Sequence, residues 1–259
     1  MNINANTLLK VIKLSAQIML ENGGETYRAE ETIKFIGKSF NVEEIDSIAT
    51  PTGFYLTVSM DGEHNSTIIK RIRKRTINLQ KISDVNNISR QLSSHTLSLE
   101  DALNELEQIQ TSNASQYRHQ LLYAGLTSAF FTVLFGGGWF DFIVSFLAGI
   151  LLAYISGHFV ELHSYQFVSS IISGAILAFV SITATNITGI GDYYYIIVGA
   201  LMPLLPGLAM TNAIRDTIRG DLISGSARAT EALLVASSLA AGAGSVIYVA
   251  HSMGLLLVV

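Results

Sequence analysis

Cysteine is absent from this 259-residue chain, which excludes disulfides and thiolate chemistry. The amino terminus, Met-Asn-Ile-Asn-Ala-Asn-Thr, has neither a basic stretch nor an apolar run. It does not read as a secretory signal, so the first domain is expected to stay in the cytoplasm. Neither a Gly-x-Ser-x-Gly elbow nor a His-Glu-x-x-His pair occurs, so two familiar hydrolytic sites are missing. The net charge of −4 shows no basic excess, and no nucleic-acid partner is expected. Charge itself is scarce in the second half. Residues 1–118 hold 13 of the 16 Lys and Arg and 14 of the 20 acids, whereas residues 119–259 hold only 3 and 6. A soluble domain followed by a membrane domain accounts for this better than one large globule.

What is present in residues 1–118 reads as a small α+β domain. Leu8, Val11, Ile12, Ala16, Met19 and Leu20 recur at helical spacing, and Gly23-Gly24 ends that helix as a left-handed cap. A second helix is expected over 25–40, with Glu25 in its first turn. Segments 42–49, 53–60 and 66–72 read as strands, the last two joined by Asp61-Gly62. Helices are expected near 84–93 and 99–109, the latter opened by the capping box Ser98-Leu-Glu-Asp101. Gly37-Lys38-Ser39 ends like a phosphate-binding loop, but Thr32 stands where that motif needs its first glycine. The basic run Lys70-Arg-Ile-Arg-Lys-Arg75 reads as a solvated strand end, with anionic lipid as the competing partner. Glu21, Gly23, Gly24, Glu25, Arg28 and Glu30 crowd around the glycine turn. They suit an ion-paired helix junction, or a carboxylate pair doing acid–base work.

Residues 119–259 read as an α-helical membrane bundle. Charge-free gaps predict five transmembrane helices near 119–136, 139–157, 165–186, 193–211 and 229–253. Trp139 and Tyr193-Tyr-Tyr195 suit interfacial belts. Every Lys and Arg lies in 1–118 or at Arg215, Arg219 and Arg228. Four spans separate these groups, so both fall on one side, cytoplasmic by the positive-inside rule. Ala236, Ala240 and Gly244 form a small-residue ladder on the last span, and the hydroxyls of 169–185 either bond their own helix or line a path. His158 and Glu161 would be neighbours on a helix and allow a metal pair, which His163 fits less well; a polar loop is the reading preferred, and no metal or cofactor is expected.

The densest stretch is 203–231. Pro203 and Pro206 interrupt the fourth span; each removes a backbone donor, and broken backbone at membrane depth is tolerated only beside protein or water. Such discontinuous helices point to transport sites. Asn212, Arg215, Asp216, Arg219, Asp221, Arg228 and Glu231 follow. Spacing of four puts Arg215 with Arg219, and Asn212 with Asp216, on shared faces. Arginine forks match carboxylates, and Glu231 stands inside the last span, where an ionisable group is costly. These residues, with the prolines, are the candidate substrate-binding or coupling set; a solvated helix with local ion pairs is the plainer alternative.

Glu21-Asn-Gly-Gly-Glu-Thr-Tyr-Arg-Ala-Glu-Glu31, Ala49-Thr-Pro-Thr-Gly-Phe54, Pro203-Leu-Leu-Pro-Gly207, Arg215-Asp216, Gly220-Asp221 and Ser224-Gly225 through Arg228 together resemble the threonine/serine exporter (ThrE) family. The length is similar to its split, YjjP-like members. The resemblance implies a multi-pass protein of the cell (plasma) membrane that exports threonine or serine, or a dicarboxylate such as succinate. It also implies a second, small membrane subunit of the YjjB type; a homo-oligomer is left open. The bilayer is the remaining partner. Two other functions compete: a membrane-anchored hydrolase using residues 1–118, and a tethered sensor or scaffold.

Overall fold

The computed structural model describes residues 5–42, 44–60, 64–112, 117–161 and 166–255. In chain order the elements are α1 (Ala5–Glu21), α2 (Thr26–Ser39), β1 (Glu44–Thr50), β2 (Gly53–Met60), β3 (His64–Arg71), α3 (Leu79–Ser93) and α4 (Leu99–Thr111). There follow α5 (Tyr117–Leu134), α6 (Trp139–Glu161), α7 (Gln166–Thr188), α8 (Tyr193–Leu201), a 3-10 turn (Met202–Leu204), α9 (Gly207–Ile218) and α10 (Leu222–Ser252). The chain divides into two compact units: Met1–Asn113 with Leu208–Ala229, and Ala114–Gly207 with Thr230–Val259. The Asp61-Gly62 turn and the side chains of His158, Glu161 and His163 lie outside the described residues.

In the first unit α1 is the central helix, with Val11, Ile12, Ala16, Ile18 and Met19 fully buried. It packs against α2, α3, α4 and the edge of the sheet. The sheet is antiparallel in the order β1-β2-β3. Phe54, Leu56 and Val58 alternate inward from β2 and join that core. Gly37 explains why its motif is not a phosphate loop: it lies within α2, and a Cβ there would sit 1.8 Å from Ile45 Cδ1 of β1. Any larger residue there would have to displace the Ile45 side chain. α3 starts at Leu79, earlier than the expected 84, because Asn78 caps it by accepting the Lys81 N–H at 3.1 Å. Ser98 caps α4 through the Asp101 N–H, but the Asp101 carboxylate takes the Ser98 hydroxyl at 2.6 Å, so the box is one-sided.

The second unit is mostly helical and apolar. By length and composition α6, α7 and α10 are suited to cross a membrane, and the bent pair α8 with α9 makes a fourth if it is one span. α5 falls short of that test. It is an 18-residue helix opening on Tyr117-Arg-His-Gln120, which leaves about 20 Å of apolar length at 1.5 Å per residue.

Two close approaches organise this unit. A Cβ on Gly242 of α10 would lie 1.9 Å from the Ile171 carbonyl of α7, and one on Gly174 of α7 would lie 2.2 Å from the Leu239 carbonyl. The seam therefore runs through Leu239, Gly242 and Ala243, not along Ala236, Ala240 and Gly244; a Cβ at Gly244 meets open space. On α7, Ser181 and Thr185 donate to the Leu177 and Ser181 carbonyls at 2.8 and 3.1 Å, so those hydroxyls serve their own helix. At one end Asp141, almost fully buried, accepts the Gly138 N–H at 2.8 Å and the Asp192 N–H at 2.9 Å, joining the α5–α6 and α7–α8 turns. Trp139 and Tyr194 are exposed at that end, as interfacial residues should be. Asp141→Ala is expected to cost about 1–3 kcal/mol for each N–H left without an acceptor. Thermal unfolding in detergent checks this, with Asp141→Asn retaining part of the loss.

Candidate functional site

The site begins at a backbone turn. α1 ends where Gly23 takes φ +88°, and the Gly24 N–H returns to the Met19 carbonyl at 2.9 Å. The carbonyls of Gly23 and Gly24 then serve distant residues. Asn212 Nδ2 donates to Gly23 O at 3.1 Å, and Arg228 Nη2 donates to Gly24 O at 2.8 Å. A Cβ on Gly24 would lie 2.8 Å from the Met19 carbonyl, so the turn is closed to larger residues.

Charge is matched next. Glu25 is not in the first turn of α2 but at its cap, and its side chain makes no capping bond. Its carboxylate pairs with Arg215 instead, with Arg28 Nε at 3.8 Å on the other side. One residue on, Thr26 Oγ1 donates to Asp216 Oδ1 at 3.1 Å. Arg228 Nε lies 3.1 Å from Asp216 Oδ2, a charge contact not aligned as a hydrogen bond. Asp216 is wholly buried and Arg228 nearly so. At the rim Arg219 reaches Glu31 at 3.4 Å and lies over the Tyr27 ring, 3.4 Å from its centroid. Gly220, at φ +92°, turns the chain out of α9, and the Asp221 N–H bonds the Asp216 carbonyl at 2.9 Å before α10 starts.

The two candidate sets thus form one site over much of their extent. Gly23, Gly24, Glu25 and Thr26 meet Asn212, Arg215, Asp216 and Arg228, with Arg28 beside Glu25, all within the first compact unit. Shared faces hold as spacing requires: Asn212 and Asp216 point inward, and Arg215 and Arg219 are half exposed. Glu21 stands aside, accepting from Gln17 Nε2 at 2.8 Å. Glu30 accepts the Ala49 N–H at 2.6 Å. Burial pushes its carboxyl above the usual range; the Ala49 N–H and Lys34 oppose this and Asp221 adds to it. Pro203, Pro206 and Glu231 belong to the second unit, the prolines flanking the break between α8 and α9. Thr26, Tyr27 and Glu31 join the site through partners about 190 residues away, which local spacing does not reveal.

The pairs differ in strength. Arg219 with Glu31 is solvent-exposed and worth about 0–1 kcal/mol. Arg228 with Asp216 is buried, so removing either partner strands the other. Chemically, each arginine is held by an acceptor that an incoming carboxylate resembles.

The chain matches the family model described as "Putative threonine/serine exporter" over residues 10–250, and it belongs to that family. It is 26% identical over 221 residues to the "Probable succinate transporter subunit YjjP" of Klebsiella aerogenes, covering 82% of each chain. The protein of the same name from Escherichia coli is 23% identical over 211 residues, 81% of this chain and 82% of that one. "Pheromone-regulated membrane protein 10" of Pichia sorbitophila is 24% identical over 242 residues, 90% of this chain but 24% of that protein. No solved structure matches. The family and the two bacterial relatives are named for transport, not for an enzyme activity, and the apolar helices make this a membrane protein.

Proposed function

We propose that this member of the exporter family is one subunit of a plasma-membrane carrier. It moves a small carboxylate-bearing metabolite out of the cell: threonine, serine, or a dicarboxylate such as succinate. The names of the family and of the bacterial relatives support these substrate classes. In this reading the first unit is cytoplasmic, α5 also crosses, and five spans leave a half-bundle that a second small membrane subunit of the YjjB type completes. The word "subunit" in the relatives' name supports a partner, as does the uncovered ladder through Ala240 and Gly244 on α10.

The observation that carries the reading is the pairing of Arg215 with Glu25 beside the buried pair of Arg228 with Asp216. Arg215 is half exposed and can exchange Glu25 for a solute carboxylate; a guanidinium fork favours that geometry. Once Glu25 is released, α9 loses one of its ties to the α1–α2 turn. Movement then passes into the broken α8–α9 segment at Pro203 and Pro206, and rocking of one half against the other exposes the solute outward. Asp216, Asp221 or Glu231 would hold the arginines in the empty state or carry a coupling proton.

The test is flux in proteoliposomes, with this chain alone and with the small subunit, offering serine, threonine and succinate in parallel. Arg215→Gln is expected to lose most of the flux while keeping expression; Glu25 is buried, so a modest loss of thermal stability goes with it, limited by Arg28 at 3.8 Å from the same carboxylate. Normal flux in Arg215→Gln and Arg219→Gln would remove the arginines from the mechanism.

A further inference from the structure

The outer face of the three-stranded sheet carries one apolar row between polar ones, Asp46–Thr57–Thr67 on one side and Thr50–Gly53–Arg71 on the other. Ile48, Tyr55 and Ile69 face one another across the three strands and are 66, 53 and 70% exposed. The opposite face, with Phe54, Leu56 and Val58, is already in the core. A cross-strand row of this kind is no scattered surface residue.

Charge along this face is graded. Arg71 continues it at one end, pairing with Gly53, and Arg73 and Lys74 follow, exposed, before Ile77 and Leu79 expose further apolar side chains. Glu44 and Asp46 lie at the far end of β1. The face is therefore basic at one edge, apolar in the middle and acidic at the other edge. The basic edge is fixed in place. The Thr76 and Asn78 N–H groups donate to the Glu21 and Asn22 carbonyls at 2.8 and 3.1 Å.

From this juxtaposition we infer that the Ile48–Tyr55–Ile69 row and the adjoining segment from Arg71 to Leu79 form a surface that binds anionic lipid headgroups. Basic residues beside exposed apolar anchors are the chemistry of interfacial binding, and the cytoplasmic leaflet supplies the anionic surface. The exposed basic residues Arg71, Arg73 and Lys74 beside the apolar row are complementary to an anionic surface, which is the occupant the charge favours. The inference rests on the proposed cytoplasmic placement of the first unit and not on what the chain transports.

The chain has no cysteine, so a single spin label is unique. Full-length protein labelled at Ile69→Cys is placed in nanodiscs of phosphatidylcholine, with and without phosphatidylglycerol. Collision with a soluble nickel chelate is read by paramagnetic resonance. The expected result is a severalfold loss of collision in the anionic discs only, reversed by molar salt and by the combined change Arg71→Gln, Arg73→Gln and Lys74→Gln. A label at Glu105→Cys, on the exposed side of α4, stays accessible in both and reports folding. Equal accessibility of residue 69 in both discs would overturn the inference. So would protection that ignores lipid charge and rises with protein loading, which would mark a second copy as the occupant.

Discussion

Replacing Arg228 with glutamine is expected to abolish export and to cost about 3–5 kcal/mol of stability, the penalty for stranding a buried charge. Asp216 is fully buried, and its neighbours in the fold are Thr26, Glu25 and Asp221. Without the guanidinium, two further carboxylates face it, against which the Thr26 hydroxyl donates one hydrogen bond. The same change removes the bond to the Gly24 carbonyl, so the α1–α2 turn loses its hold on the start of α10. Thermal unfolding in detergent measures the stability term. Asp216→Asn combined with Arg228→Gln separates the two effects: stability should return in large part, because neither charge is then stranded. Flux should not return, because the arginine is still missing.

Gly242→Ala should be nearly as damaging by a different mechanism. The new Cβ would lie 1.9 Å from the Ile171 carbonyl and 2.8 Å from its carbon, and backbone cannot rotate aside as a side chain can. α7 and α10 must separate by roughly 1 Å or more, loosening the packing around Leu177, Ala178 and Ala243. A loss of about 1–3 kcal/mol is expected from overpacking alone. Gly244→Ala is the control: its Cβ enters open space, so unfolding should move little. Equal unfolding temperatures for the two variants would mean that the α7–α10 seam is not where this packing lies.

Much of the local structure was legible from sequence because it depends on local chemistry. Gly23 was readable as a left-handed cap, since few residues accept φ +88°. The alternation of Phe54, Leu56 and Val58 gave β2 its two faces. The proline pair marked the break that separates α8 from α9. The ladder on α10 was misread for a physical reason: small residues lie on several faces of that helix, and only contact chooses between them. Gly242 and Gly244 look alike in the sequence, yet one touches backbone and the other touches nothing.

The site was legible in its parts and not in its assembly. Arg215, Asp216 and Arg228 stood out as charges beside apolar spans, and Glu25 stood out beside a glycine turn. That Glu25 answers Arg215, and Thr26 answers Asp216, depends on contacts about 190 residues apart, which no periodicity encodes. Charge complementarity was the one available signal: Glu25 and Glu31 on one helix, Arg215 and Arg219 on another.

The central claim is that Arg215 reads the solute carboxylate and that Glu25 stands in for it. The most direct test is the charge swap Glu25→Arg with Arg215→Glu, assayed for flux in proteoliposomes beside the parent chain. The pair is preserved with reversed sign, at some cost in stability because the arginine at 25 meets Arg28, so thermal unfolding is measured alongside; in the folded protein a glutamate facing the solute should leave no flux. A swapped protein that transports at the parental rate would show the pair to be structural and would contradict the account.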